Sequence, residues 1–141
     1  MVEVTYADLT AAAATQTLNI GPTAAKQAVL LEFARLVVPF VSSDGTLIST
    51  AITVGDTGSA TRFLASMELN AAGSFVNMKA GALGNPTGLF VYTSADTLQI
   101  AVAGTSAKLL NTHTAGKLLL FFTIMDGRVG QGATLSGTGN N

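Results

Sequence analysis

The chain has no cysteine, no tryptophan and a single histidine, His113. Without thiols it forms no disulfide and offers no thiolate to a metal or a substrate. One histidine cannot build the His/Cys ligand sets that transition metals need, so no metal and no cofactor is expected. Charge is scarce as well: 7 Lys+Arg and 8 Asp+Glu make up 11% of the residues and leave a net charge of -1, well under the usual quarter. The basic residues are scattered among acids. They leave no cationic footprint, and nucleic acid is not an expected partner. No apolar run reaches the roughly 18 to 20 residues of a membrane helix. Lys117–Met125 is too short to span, so no membrane is expected either. The opening residues, MVEVTYADLT, carry Glu3 and Asp8 and no basic region, unlike a secretory leader. The expected location is the cytosol of the cell that makes the chain.

What remains is a 141-residue chain that is 48% apolar. That length suits one domain burying roughly two-thirds of its unfolded surface. A free monomer with so few charges is poorly protected against association. A part of a large assembly needs no such protection, and the composition points that way. An ordinary apolar small domain has the same composition.

The clearest pattern is Thr46–Asn70. Thr61–Leu69 alternates, with Phe63, Ala65, Met67 and Leu69 on one side and Arg62, Leu64, Ser66 and Glu68 on the other. That is the period of a half-buried strand. Leu47–Val54 alternates too, with Ile48, Ile52 and Val54 on one side. Gly55-Asp56-Thr57-Gly58-Ser59 between them suits a hairpin with a connection longer than two residues.

Before this hairpin, Met1–Ala14 is weakly patterned and reads as an arm. Thr15–Ile20 is a short strand expected to stop at Gly21-Pro22. Val29–Val41 is apolar on both faces. Pro22 suits a first helical turn, and Glu32 would meet Arg35 on a helix over Ala24–Leu36. Against that, Val37-Val38-Pro39-Phe40-Val41 favours a strand, and Pro39 breaks a helix. The strand reading is preferred, bent near Arg35. Ser42–Gly45 is a turn.

After the hairpin, Ala71–Gly73 turns, Ser74–Ala80 alternates, and Gly81–Gly88 is a loop. Leu89–Tyr92 and Thr97–Ala103 are strands, and Gly104–Gly116 is a polar loop holding His113. Gly116–Met125 is the most apolar strand, expected to be buried on both faces. Gly127–Asn141 is a glycine-rich tail expected to be flexible. About seven to nine short strands with turn signals between them predict an all-β chain: an antiparallel β-sandwich or a jelly-roll-like fold. The domain would run over residues 15–126, with the arm at 1–14 and the tail at 127–141.

Little in the chain carries chemistry. His113 has no nucleophile elbow near it and reads as an exposed loop residue. Asp44, Asp56, Asp96 and Asp126 fall at turns, where aspartate bonds local amides. A calcium site at Asp56, Thr57 and Ser59 lacks the spacing of a known loop. Gly55 and Gly58 make no phosphate loop. A hydrolase is the least favoured reading, and the protein is not expected to be an enzyme.

The order Gly21-Pro22-Thr23, a long apolar strand, Ile52-Thr53-Val54-Gly55-Asp56, then Arg62-Phe63-Leu64-Ala65 and an apolar strand near the end resembles small virion proteins of tailed bacteriophages, of the capsid cement or decoration type. The resemblance spans about Thr17 to Asp126. It implies a β-sandwich or jelly roll, often a homotrimer, on the capsid exterior, bridging neighbouring subunits of the major capsid protein. Such proteins bind through surfaces and termini. The implied contacts are Val2, Val4, Tyr6 and Leu9 in the arm and Arg128 and Val129 in the tail. Removing Met1–Ala14 would then weaken attachment and leave the fold intact. The competing expectation is a fibre-base or host-attachment module that binds a surface glycan. With only Tyr6 and Tyr92 beside the phenylalanines, aromatic platforms for a sugar are few.

Overall fold

The computed structural model describes residues 1–70, 89–105 and 108–126 in full and 75–77 by their chain path. The described residues contain nine antiparallel strands: β1 (Val2–Thr5), β2 (Thr15–Thr23), β3 (Gln27–Ser42), β4 (Thr50–Asp56), β5 (Ser59–Glu68), β6 (Phe75–Asn77), β7 (Leu89–Val91), β8 (Asp96–Gly104) and β9 (His113–Asp126). Sheet one runs β1-β9-β3, with β6 and β7 end to end on the far edge of β3; sheet two runs β2-β8-β4-β5. The pairing is nested. β1 pairs with β9, β2 with β8, β3 with β6 and β7, and β4 with β5. This is one long hairpin rolled so that β9 also meets β3 and β8 also meets β4. That connectivity is the jelly roll.

The two sheets bury one face each against the other. β9 contributes Leu118 and Leu120, β8 contributes Leu98, Ile100 and Val102, and β4 contributes Ile52 and Val54. Each fully buried aliphatic side chain is worth roughly 1.5–3 kcal/mol over its exposed state. β3 buries Val29, Leu31, Ala34, Leu36 and Phe40, a series that changes from odd to even positions between Leu31 and Ala34. The register shift at Glu32 accounts for this, with Leu31 facing Phe122 and Phe33 facing Phe121; a second shift at Val37 sets Leu36 opposite Leu118 and Val38 opposite Lys117. Each bulge adds a residue and bends the strand, so the bend expected near Arg35 is two bulges flanking it. The helix weighed for Ala24–Leu36 does not form; β3 starts at Gln27.

The N-terminal segment is part of the sandwich rather than an arm. β1 supplies the edge of sheet one, and a 3-10 turn at Tyr6–Asp8 follows it. Thr5 and Asp8 close that turn, with the Thr5 N–H donating to Asp8 Oδ2 at 2.7 Å. Val4 and Leu9 then enter the core. Ala11, Ala13 and Ala14 accept backbone hydrogen bonds from Asn111, Leu110 and Gly104. Alternation over so few residues is too short a signal to separate a strand from a loose end.

Four further expectations shift. β2 does not stop at Gly21-Pro22 but passes through them with a bulge and reaches Thr23. β2 is an edge strand, where the missing proline donor need cost no ladder bond. β4 begins at Thr50, leaving Ile48 exposed and Leu47 buried. The β4–β5 turn is tight, since Asp56 already pairs with Ser59. The residues counted into a longer connection are absorbed as irregularities of β5, which bury Phe63 and Leu64 together. Gly55 permits this: a Cβ there would lie 2.0 Å from the Ser59 carbonyl oxygen. Gly116 plays a similar part in β9, with φ +147 and a would-be Cβ 2.4 Å from the Phe40 ring. The expected turn at 71–73, the loop at 81–88 and the tail at 127–141 lie outside the described residues, as does most of the strand expected at 74–80.

Candidate functional site

Two polar clusters and one apolar face stand out. The first cluster closes one end of the sandwich. Asp56, at the end of β4, is buried and ion-paired with Arg62 of β5. Tyr92, just after β7, donates its hydroxyl to Asp56 Oδ2 at 2.8 Å, and the Ser59 amide donates to Oδ1 at 2.7 Å. The Arg62 guanidinium lies 3.8 Å from the centre of the Phe90 ring, and Phe90 meets Tyr92 edge-on at 4.9 Å. Burial, then the hydrogen bond to Asp56, push the Tyr92 phenol far above its ordinary value. Thr57 donates to Asp96 at the start of β8, and this bond holds the Asp96 carboxyl below the usual range.

These contacts tie sheet two to sheet one. Asp56 is filled by a guanidinium, a phenol and an amide. The calcium site weighed at Asp56, Thr57 and Ser59 is therefore not formed. Among the described residues no three His, Asp or Glu side chains gather as a metal site would require.

The second cluster closes the other end around His113. This histidine is buried at the start of β9, not exposed in a loop. Its Nδ1 donates to the Leu110 carbonyl at 2.7 Å and its Nε2 meets the Thr50 hydroxyl at 3.0 Å. The Phe40 ring packs against it at 5.9 Å. Glu68 accepts from the Thr50 and Asn70 amides, each at 3.1 Å, and Asn70 donates to the Phe40 carbonyl at 2.7 Å. Both ring nitrogens are committed internally, so the histidine serves the joint between β3, β4 and β9.

The contact residues implied by the termini divide. Val4 and Leu9 are core residues and cannot face a neighbour, because β1 and the turn after it seat them between the sheets. Val2 packs against the core from the edge, and Tyr6 is exposed. Arg128 and Val129 lie outside the described residues.

What the sequence reading missed is the outer face of sheet one. β3 and β9 are apolar on both faces, but only one face is covered. Phe33 stacks on Phe121 with ring centres 4.1 Å apart, alongside the half-buried Leu30 and Leu119. Val37, Val38, Val41, Leu89, Val91 and Met125 are exposed on the same sheet. Among the described residues, charge on this face is confined to the Glu3–Lys117 ion pair at 2.7 Å and to exposed Glu32 and Arg35. Sheet two presents Thr17, Asn19, Ala65, Ser66 and Ala103 outward, small or polar side chains throughout. The expectation that Gly116–Met125 is buried on both faces fails because among the described residues no third layer covers sheet one. The two-sided apolar runs carry this signal, but composition alone does not separate a strand covered on both faces from one with an exposed apolar face.

Comparison with protein-family models, with curated proteins and with solved structures gives no match.

Proposed function

We propose that the protein is a structural virion component, a capsid cement or decoration protein of a tailed bacteriophage. In this reading it rides on the capsid exterior, with the major capsid protein as its partner, and has no catalytic role. The observation that supports it is the contrast between the two outer faces. One sheet is small and polar outside; the other carries an extended apolar surface of a kind that monomers rarely expose. The jelly roll agrees with this reading without deciding it, since the same fold serves capsid and lectin domains.

The energetics suit a shell component. A standard interface buries about 800 Å² per partner. At about 25 cal/mol per Å² of apolar area, a face of that size supplies useful attraction after the ordering terms are met. Binding across a seam between two capsid subunits makes the second contact intramolecular, which multiplies the strength of each.

The test is a particle-binding assay with Val37→Glu and Val38→Glu, two exposed positions on sheet one. Both should melt like the parent and lose occupancy on particles. Hundreds of parent copies per particle are expected. Undiminished occupancy of the variants, or a handful of copies confined to the tail, would refute the proposal.

A further inference from the structure

β9 is longer than the strand beside it. β1 covers only Lys117–Leu120, with Val2 opposite Leu120. On its other side β9 is followed by β3 as far as Asp126. Among the described residues no strand pairs with Phe121–Met125 on the β1 side. The core records the gap. Ile124 stands opposite Val29, so both point inward. Val29 is fully buried, yet Ile124 is 51% exposed. Phe122, opposite the buried Leu31, is only partly covered. An inward-facing isoleucine half in water marks a seam that lacks a strand. The seam is also open alongside β1, where β1 and β2 line a groove of about 420 Å³ with Val2, Val4, Leu18 and Ile20 in its walls.

Unpaired backbone on an exposed edge is a template for another strand, and proteins usually guard such edges with lysine, proline or an inward charge. Phe121-Phe122-Thr123-Ile124-Met125 has none of these. The segment is also symmetric about its middle residue: Phe122 and Ile124 face in, while Phe121, Thr123 and Met125 face out. We infer that this edge of β9 pairs with the same edge of a second copy, antiparallel about a two-fold axis at Thr123. Phe122 of one copy then lies opposite Ile124 of the other, and Phe121 opposite Met125. Each copy covers the inward isoleucine that the other leaves wet. A strand from a different protein would satisfy the backbone equally well. The match of inward to inward and outward to outward at every position is what an isologous contact requires, and it favours self-pairing. β1 starts at Val2, so among the described residues no strand lies beside β9 from Phe121 onward on this side. The inference stands on β9 alone and does not need the capsid reading. It replaces the implied homotrimer with a two-fold pair as the expected species in solution.

The test is sedimentation of the full chain from micromolar to millimolar concentration, which should reveal a species of twice 14.3 kDa. Ile124→Lys should weaken that association by at least roughly tenfold while its melting stays near that of the parent. The chain has no cysteine, so Thr123→Cys carries a single thiol. Antiparallel neighbours sit about 4.5–5.5 Å apart between Cα atoms, within disulfide reach. Mild oxidation should therefore link the Thr123→Cys variant into a covalent dimer. Thr17→Cys, exposed on β2, should link far more slowly. A monomer at every concentration, a trimer, an Ile124→Lys variant that still dimerises, or equal linking at the two cysteine positions would each overturn the inference. Sedimentation of the unsubstituted chain keeps the test independent of any variant's folding.

Discussion

Replacing Leu9 by alanine separates two pictures of the N-terminus. If residues 1–14 were a loose arm, the change would leave stability untouched. In the structure Leu9 is 2% exposed and belongs to the same core as Val4, Leu118 and Leu120. Truncating a buried leucine removes its transfer free energy and leaves a cavity, together about 2–5 kcal/mol. Leu9 sits after a short edge strand, where the surroundings can partly collapse, so a value near 3 kcal/mol is expected. At about 2.1 cal/mol/K per residue, the 141 residues unfold with an entropy near 0.3 kcal/mol/K. The melting temperature should therefore fall by about 10 °C. Calorimetry reads this directly. Tyr6→Ala is the internal control: at 43% exposure it should cost less than about 1 kcal/mol. Equal melting of the Leu9→Ala variant and the parent would refute the placement of this segment in the core. So would a chain lacking Met1–Ala14 that melts unchanged.

Gly116→Ala should destabilise by roughly 3 kcal/mol or more, since φ +147 and the Phe40 ring 2.4 Å away both oppose a Cβ; urea titration checks it. Tyr92→Phe removes a hydrogen bond to a carboxylate and should cost about 1.5–3 kcal/mol at neutral pH. The Tyr92 phenol holds its proton more tightly folded than unfolded, so its share of stability is full below its unfolded value of about pH 10 and declines above it. Stability measured across that alkaline range should fall less steeply in Tyr92→Phe than in the parent. On the acid side, the Thr46 hydroxyl and amide hold the Asp44 carboxyl below its ordinary value. Its small contribution is present above the ordinary carboxylate range and lost as pH falls through the lowered value. Thr46→Val should raise the Asp44 midpoint in a carboxyl NMR titration.

Much of the architecture was legible along the chain. Strands at Thr97–Ala103 and Leu89–Tyr92 fall within a residue or so of β8 and β7 because alternation and bounding turns both mark them. β3 was legible from Val37 and Val38 and from Pro39, which forbids the rival helix. Where the reading slipped, a bulge or a partner far along the chain was responsible. Phe63 and Leu64 are both buried because Gly55 lets β5 gain residues against β4. No local period encodes that. His113 looked like a loop residue because its partners, Thr50 and Leu110, depend on how β4 and β9 meet. The exposed apolar face of sheet one was hidden in a run whose composition is the same for a strand covered on both faces and for one covered on a single face.

The order of residues alone determined that the chain would form strands, because a two-residue period and glycine-bearing turns are local properties of the backbone. It also determined that thiol chemistry would be absent, because the chain has no cysteine. Only the tertiary structure decided that Val4 and Leu9 belong to the core, that Asp56 pairs with Arg62 under Tyr92, and that β9 outruns β1 to leave Ile124 in water. Each of these depends on contacts between residues distant in sequence. Such contacts are set by how two sheets twist and close on one another, which no short window of residues records.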